Sequence, residues 1–158
     1  MRFSFSSAVL AIASLAAVVV SAAPGKRSGT IVEPTSGTVI SSGSSIPYSY
    51  VDQNWCEEGY TPITVWLSES APTALNSTGQ LPPGTYIEYY GKFLINNFGL
   101  PVMQPLPPTS LTIPDISSYA AASSLILTTV ETALFGTCPG GVSQPAQYRF
   151  TSVSLTVA

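Results

Sequence analysis

Apolar and polar residues alternate along much of this chain. Ile46, Tyr48 and Tyr50 fall on one parity with Ser45 and Ser49 on the other, and Ile63, Val65 and Leu67 form a second apolar face. Ile87, Tyr89, Phe93 and Ile95 form a third. A period of two is the mark of a half-buried strand. Strands are predicted over residues 29–34, 38–41, 45–51, 62–68, 85–96, 110–115, 123–133 and 147–157, most of them rich in Val, Ile, Thr, Tyr and Phe and bounded by Gly, Pro, Ser or Asn. The best helical stretch, residues 116–122, is short and polar and predicts one turn at most. Such a series of short strands predicts a single all-β domain, an antiparallel β-sandwich of immunoglobulin or fibronectin type.

Three breaks in the alternation carry information. In the last strand Tyr148 and Phe150 share one parity while Val153, Leu155 and Val157 share the other. That change of face predicts a bulge near Thr151-Ser152. The stretch "GLPVMQPLPP", from Gly99 to Pro108, holds Pro101, Pro105, Pro107 and Pro108. It cannot pair as an internal strand, and is expected to cross in extended form from one sheet to another. Trp66 lies opposite the apolar face of its strand, yet a tryptophan on a central strand is usually core; burial is expected in spite of the parity.

The first residues do not follow the strand pattern. Met1 and Arg2 precede an apolar run from Ala8 to Val20 and then "SAAP". This is the order of a secretory signal peptide, residues 1–22, with cleavage expected after Ala22. The run is shorter than the roughly 20 residues that a membrane span needs. The dibasic pair Lys26-Arg27 offers a second cut, leaving a mature domain over residues 28–158. No long apolar tail closes the chain, so a lipid anchor is not expected. The reading is a secreted, extracellular protein without a membrane span.

Charge and composition narrow the chemistry. Of 8 acids and 5 bases, all the acids but only Lys92 and Arg149 among the bases follow Arg27. That acidic balance leaves no electrostatic footprint for nucleic acid. There is no histidine. Ser-His-Asp and Cys-His catalysis, and histidine-held zinc or copper, are thereby excluded. No catalytic residue, metal ligand set or cofactor is expected.

Cys56 and Cys138 are the only cysteines, each at the end of a predicted strand. In a secreted chain such a pair is expected to form a disulfide, which the chain-entropy argument values at about 4.5 kcal/mol for a loop of this length. Reactive thiols would need cations nearby, and Cys56 is followed by Glu57 and Glu58. With Asp52 these acids bring to mind paired carboxylates that cleave glycosides, but an ordinary solvated loop is the commoner origin of such a cluster. No Asp-rich loop with calcium spacing is present.

Tyr86, Glu88, Tyr90 and Lys92 share the parity opposite Ile87 and Phe93. Tyr86 and Tyr90 would then stand about 13 Å apart on one face. Such a strip, with Glu88 between the rings, is the candidate binding surface for a protein or for sugar rings, unless a loop covers it. Asn76 heads the sequon "NST" in a loop-like stretch and is the candidate glycosylation site.

Several stretches together resemble the fungal necrosis-inducing secreted protein family: "IVEPTSG", "YSYVDQNWCEEGYTPITVWL", "LPPTSLTIPD" and "ETALFGTCPGG" followed by "YRFTSVSLTV". The resemblance spans nearly all of the mature chain. It implies a non-enzymatic β-sandwich secreted by a fungus, an effector that acts on plants by interfering with immune receptor kinases. Cys56 and Cys138 match positions where such chains place a disulfide. A protein partner of the receptor-kinase class is therefore the first expectation, and a wall- or polysaccharide-binding module the alternative.

Overall fold

A computed structural model describes residues 28–53, 59–97, 99–119, 122–133 and 146–158. These residues form strands β1 Thr30–Glu33, β2 Val39–Ile40, β3 Ser45–Pro47, β4 Ser49–Val51, β5 Tyr60–Ser68, β6 Glu88–Asn96, β7 Ser110–Thr112, β8 Ser124–Ala133 and β9 Gln147–Val157. A single 3₁₀ turn, Ser117–Tyr119, is the only helix among them. The fold is all-β, and each strand falls inside or beside a stretch where alternation predicts one.

The main sheet has five strands in the order β2-β9-β8-β5-β6. Its long strands pair antiparallel, but β2 runs parallel to β9, with Val39 opposite Thr156. The sheet is thus mixed, where a wholly antiparallel one was expected. The predicted strand 45–51 divides at Tyr48. Its first half, β3, pairs with β7, and its second half, β4, pairs with β1.

One face of the main sheet carries the larger core. Ile63, Val65, Leu67, Leu125, Leu127 and Leu155 meet Ile46, Tyr48, Leu111 and Ile113 from the β3–β7 side. The opposite face is covered too. Trp66, Leu81 and Val130 are buried there, with Leu75, Tyr86 and Tyr148 packed around them. This resolves the conflict over Trp66: it obeys strand parity and is 3% exposed, because the β5–β6 connection folds back over it.

The same arrangement overturns the expected bulge in β9. The β8–β9 register runs unbroken from Ser124↔Thr156 to Ala133↔Gln147. Tyr148 is apolar on the outer parity because the second cluster lies there, and no backbone irregularity is needed. The irregularity lies in β6 instead. Val65 pairs with Gly91 and Trp66 with Tyr89, so Tyr90 is an extra residue. Gly91 has φ +129°, a conformation that side chains disfavour, and so permits the bulge.

The proline-rich segment behaves as expected. Residues 99–109 form no strand, and they carry the chain from β6 in the main sheet to β7 in the β3–β7 pair. Within it the Pro105 carbonyl accepts a hydrogen bond from Leu94 N–H at 2.8 Å, and the Pro101 carbonyl accepts one from Tyr60 Oη at 2.8 Å. The segment therefore lies along the outer edge of β6.

Candidate functional site

The tyrosines of the predicted strip lie on opposite sides of the main sheet. Tyr86 packs into the Trp66 cluster, its ring edge-on to the indole at 4.7 Å. Tyr90 packs against the larger core, beside Phe93. Tyr89, expected on the apolar face, stacks on Trp66 at 4.2 Å on the outer side. Tyr86 and Tyr90 thus do not form one exposed face: the bulge turns Tyr90 to the core side, while Tyr86, which precedes β6, packs on the outer side. Glu88, opposite Leu67, remains at the edge of the sheet.

What the bulge produces is a cleft. Glu88, Tyr90 and Phe93 of β6 face Pro108, Ser110, Leu111 and Pro114 across a space of about 450 Å³. Burial raises the Tyr90 hydroxyl above the ordinary tyrosine range, and the charge of Glu88 raises it further. That hydroxyl is buried and has no hydrogen-bond partner among the described residues. Leaving such a group unsatisfied costs about 1–3 kcal/mol. The proline-rich segment that ends at this cleft exposes Val102, Met103 and Leu106 at 62%, 45% and 38%. Sequence reasoning missed these three, since an unpaired segment gives no parity to read.

A second polar site lies inside the fold. On the core parity of β8, Thr129 and Glu131 follow Leu125 and Leu127, and Arg149 stands directly opposite Glu131 on β9. Glu131 is only 2% exposed. Its Oε2 accepts hydrogen bonds from Tyr50 Oη at 2.9 Å and from Gly29 N–H at 3.2 Å. The Tyr48 hydroxyl lies 2.9 Å from Thr129 Oγ1. Burial, then the charge of Glu131 and the hydrogen bond to it, hold the Tyr50 hydroxyl far above its ordinary range. For Tyr48 burial dominates, and its pKa is pushed up to about 12. The signal in the sequence was a lone carboxylate on the buried parity of a strand, "SLILTTVETA".

Asn76 is exposed. Its Oδ1 accepts hydrogen bonds from Thr78 N–H at 2.9 Å, Thr78 Oγ1 at 2.8 Å and Gln80 N–H at 2.9 Å. All three bonds run to the oxygen, so none engages the amide nitrogen that a glycan would take.

Cys56, Cys138, Glu57 and Glu58 lie outside the described residues. Asp52 is described, and its Oδ2 is buried without a hydrogen-bond partner among the described residues. Among the described residues no three acids or cysteines gather as a metal site, and no helix is long and apolar enough to cross a membrane. No protein-family model, no characterised protein and no solved structure matches this chain.

Proposed function

We propose that this chain is exported and acts as a non-enzymatic binding module, gripping a protein partner with the side formed by β6, the proline-rich segment and residues 110–114. One observation carries the reading. Val102, Met103 and Leu106 are exposed on a segment that ends at a cleft lined by Tyr90, whose buried hydroxyl has no hydrogen-bond partner among the described residues. Exposed apolar side chains on a segment that leads into a cleft lined by Tyr90 and Phe93 have the make-up of a binding hot spot. Export follows from the leader-like first 22 residues. The preponderance of acids after Arg27 favours a partner with a basic rim, mainly through its association rate. By the family resemblance that partner is a plant immune receptor kinase, and the chain an effector that suppresses signalling or induces necrosis. An immunoglobulin-like sandwich, antiparallel except for β2 and closed by a Cys56–Cys138 disulfide, is the finer form of the fold in this reading.

Polysaccharide binding is the second reading, and it places the contact on the other face. There Tyr89 stacks on Trp66 while remaining 37% exposed, and Phe150 is 39% exposed. Co-sedimentation with chitin, β-glucan and cellulose, run beside crosslinking to plant plasma-membrane proteins, separates the two. The protein reading predicts a saturable crosslink that is lost on Leu106→Asp and no sedimentation with any of the three polysaccharides. Sedimentation abolished by Tyr89→Ala would instead select the polysaccharide.

A further inference from the structure

We propose that the cleft beside Tyr90 takes an extended peptide as an added strand on the open edge of β7, with an arginine or lysine of that peptide facing Glu88. This deepens the binding reading above and rests on it for the partner being a protein. Among the described residues β7 pairs only with β3, so it is the edge of a two-stranded sheet. Its bonds to β3 alternate. Tyr48 N–H donates to the Thr109 carbonyl at 2.9 Å, and Ile113 N–H donates to the Ser44 carbonyl at 2.8 Å. Residues 109, 111 and 113 thus turn their backbone groups toward β3. Ser110 and Thr112, opposite Pro47 and Ser45, turn theirs away, and no described group bonds them. Both side chains are exposed.

Across the cleft stands a second strand edge, that of β6. Leu94 N–H points out of the main sheet to the Pro105 carbonyl. The proline-rich segment therefore ties the β6 and β7 edges together at one end. Beyond that tie the two edges part, and Glu88, Tyr90 and Phe93 face Ser110, Leu111 and Pro114. Unpaired edge groups beside an apolar space are the setting for strand addition. Pro108 and Pro114 carry no N–H, which confines pairing to the residues between them, about 17 Å of strand. The lining sets what the peptide must carry. Phe93, Leu111 and Pro114 ask for an apolar side chain, and Glu88 is the one charged residue of the lining. Lys92 stands opposite Thr64, on the outer parity of β5, and so turns from the cleft. An apolar residue and a base two positions apart, on one face of the added strand, answer both demands. A second copy of this chain is the wrong occupant, because 8 acids against Lys92 and Arg149 follow Arg27.

The test titrates the purified full chain, labelled for amide NMR, with the capped peptide Thr-Val-Thr-Arg-Thr-Val-Thr-Arg up to millimolar concentration. Shifts should concentrate at the Ser110 and Thr112 amides, and their hydrogen exchange should slow by about tenfold or more. N-methylation of alternate peptide amides, made in both possible sets, should abolish binding in at least one set, because the added strand bonds through its backbone. Glutamate in place of arginine should weaken binding by about tenfold. Glu88→Gln should weaken it by about two- to fivefold, the scale of an exposed charge pair. Unmoved Ser110 and Thr112 amides, or binding indifferent to both methylated sets, would overturn strand addition. Shifts at those amides that follow protein concentration without peptide would overturn it too, by placing a second copy on the edge. A crosslink lost on Leu106→Asp with Ser110 and Thr112 silent would keep the binding side and reject this mode. The peptide bound at β7 with the crosslink indifferent to Leu106→Asp would do the reverse.

Discussion

Trp66 and Tyr89 stack with ring centroids 4.2 Å apart and planes inclined by 29°, although they stand on strands whose neighbouring apolar residues point the other way. The contact exists because the Tyr90 bulge returns Tyr89 to the outer face, where Leu81 and Val130 already enclose the indole. Trp66→Ala should therefore cost about 3–5 kcal/mol, the scale of a large core deletion, in urea or guanidinium denaturation. Leu81→Ala, in the covering loop, should cost about 2–5 kcal/mol. A loss below 1 kcal/mol in both would mean that the loop does not hold the second cluster closed.

The strands were legible because alternation is local. Ile63, Val65 and Leu67 needed only their own sequence to be placed on a buried face, and all three are fully buried. The second cluster was not legible, because its cover is the aperiodic stretch between β5 and β6. Ignorance of that cover made the two-faced pattern of β9 look like a bulge. The true bulge had a signal, Gly91 inside a strand pattern, which often marks a break in register. The Tyr86–Glu88–Tyr90 strip failed because that inserted residue turns Glu88 and Tyr90 to the core side, while Tyr86 precedes the strand and packs on Trp66. The Glu131 network required knowing that Thr129 and Glu131 lie under Tyr48 and Tyr50, a contact between residues 81 apart in sequence.

Tyr50→Phe and Tyr48→Phe make a matched pair of tests. Tyr50 donates to a carboxylate, Tyr48 shares a bond with a neutral hydroxyl. Bonds to charged groups contribute about 1.5–3 kcal/mol, and neutral ones about 0.5–1.5 kcal/mol. Tyr50→Phe should thus be the more destabilising change by equilibrium denaturation. Equal losses would refute the Tyr50–Glu131 bond as the stronger of the two.

Alkali should unfold the protein through its tyrosines. Tyr48 is pushed up to about 12, and Tyr50 and Tyr90 are raised above it, all mainly by burial. Unfolded tyrosines ionise near pH 10. Above that pH the unfolded state binds fewer protons than the folded one, so stability is complete below pH 10 and falls as pH rises through the folded values. Absorbance at 295 nm should show these three ionising together with the loss of near-ultraviolet circular dichroism. Ionisation of all eight tyrosines with the fold intact would contradict their burial.

The proposed disulfide has a topological argument. Ile63 pairs with Glu131, which sets the start of β5 beside the end of β8 on adjacent strands. Cys56 precedes that start and Cys138 follows that end. Non-reducing peptide mapping should find the two linked, and Cys138→Ser should destabilise by several kcal/mol on the loop-closure scale of about 4.5 kcal/mol. Two alkylatable thiols in the native protein would refute the link.

The binding surface is tested best by changes that separate contact from stability. Met103 and Leu106 are exposed, so Met103→Asp and Leu106→Asp should leave the melting temperature within a degree or two while weakening partner binding by about 2 kcal/mol, roughly 30-fold. Tyr90→Phe distinguishes further. It removes a buried hydroxyl without a described partner and keeps the ring against the core. Stability should hold or rise by about 1 kcal/mol, because an unmet polar group is lost. Binding should weaken if the partner supplies the missing bond. Tyr86→Ala, by contrast, should lower stability through Trp66 and leave affinity unchanged, since Tyr86 packs into the Trp66 cluster and is absent from the cleft lining. Loss of binding on Tyr86→Ala with the Met103 and Leu106 variants unaffected would move the interface to the Trp66 side of the sheet.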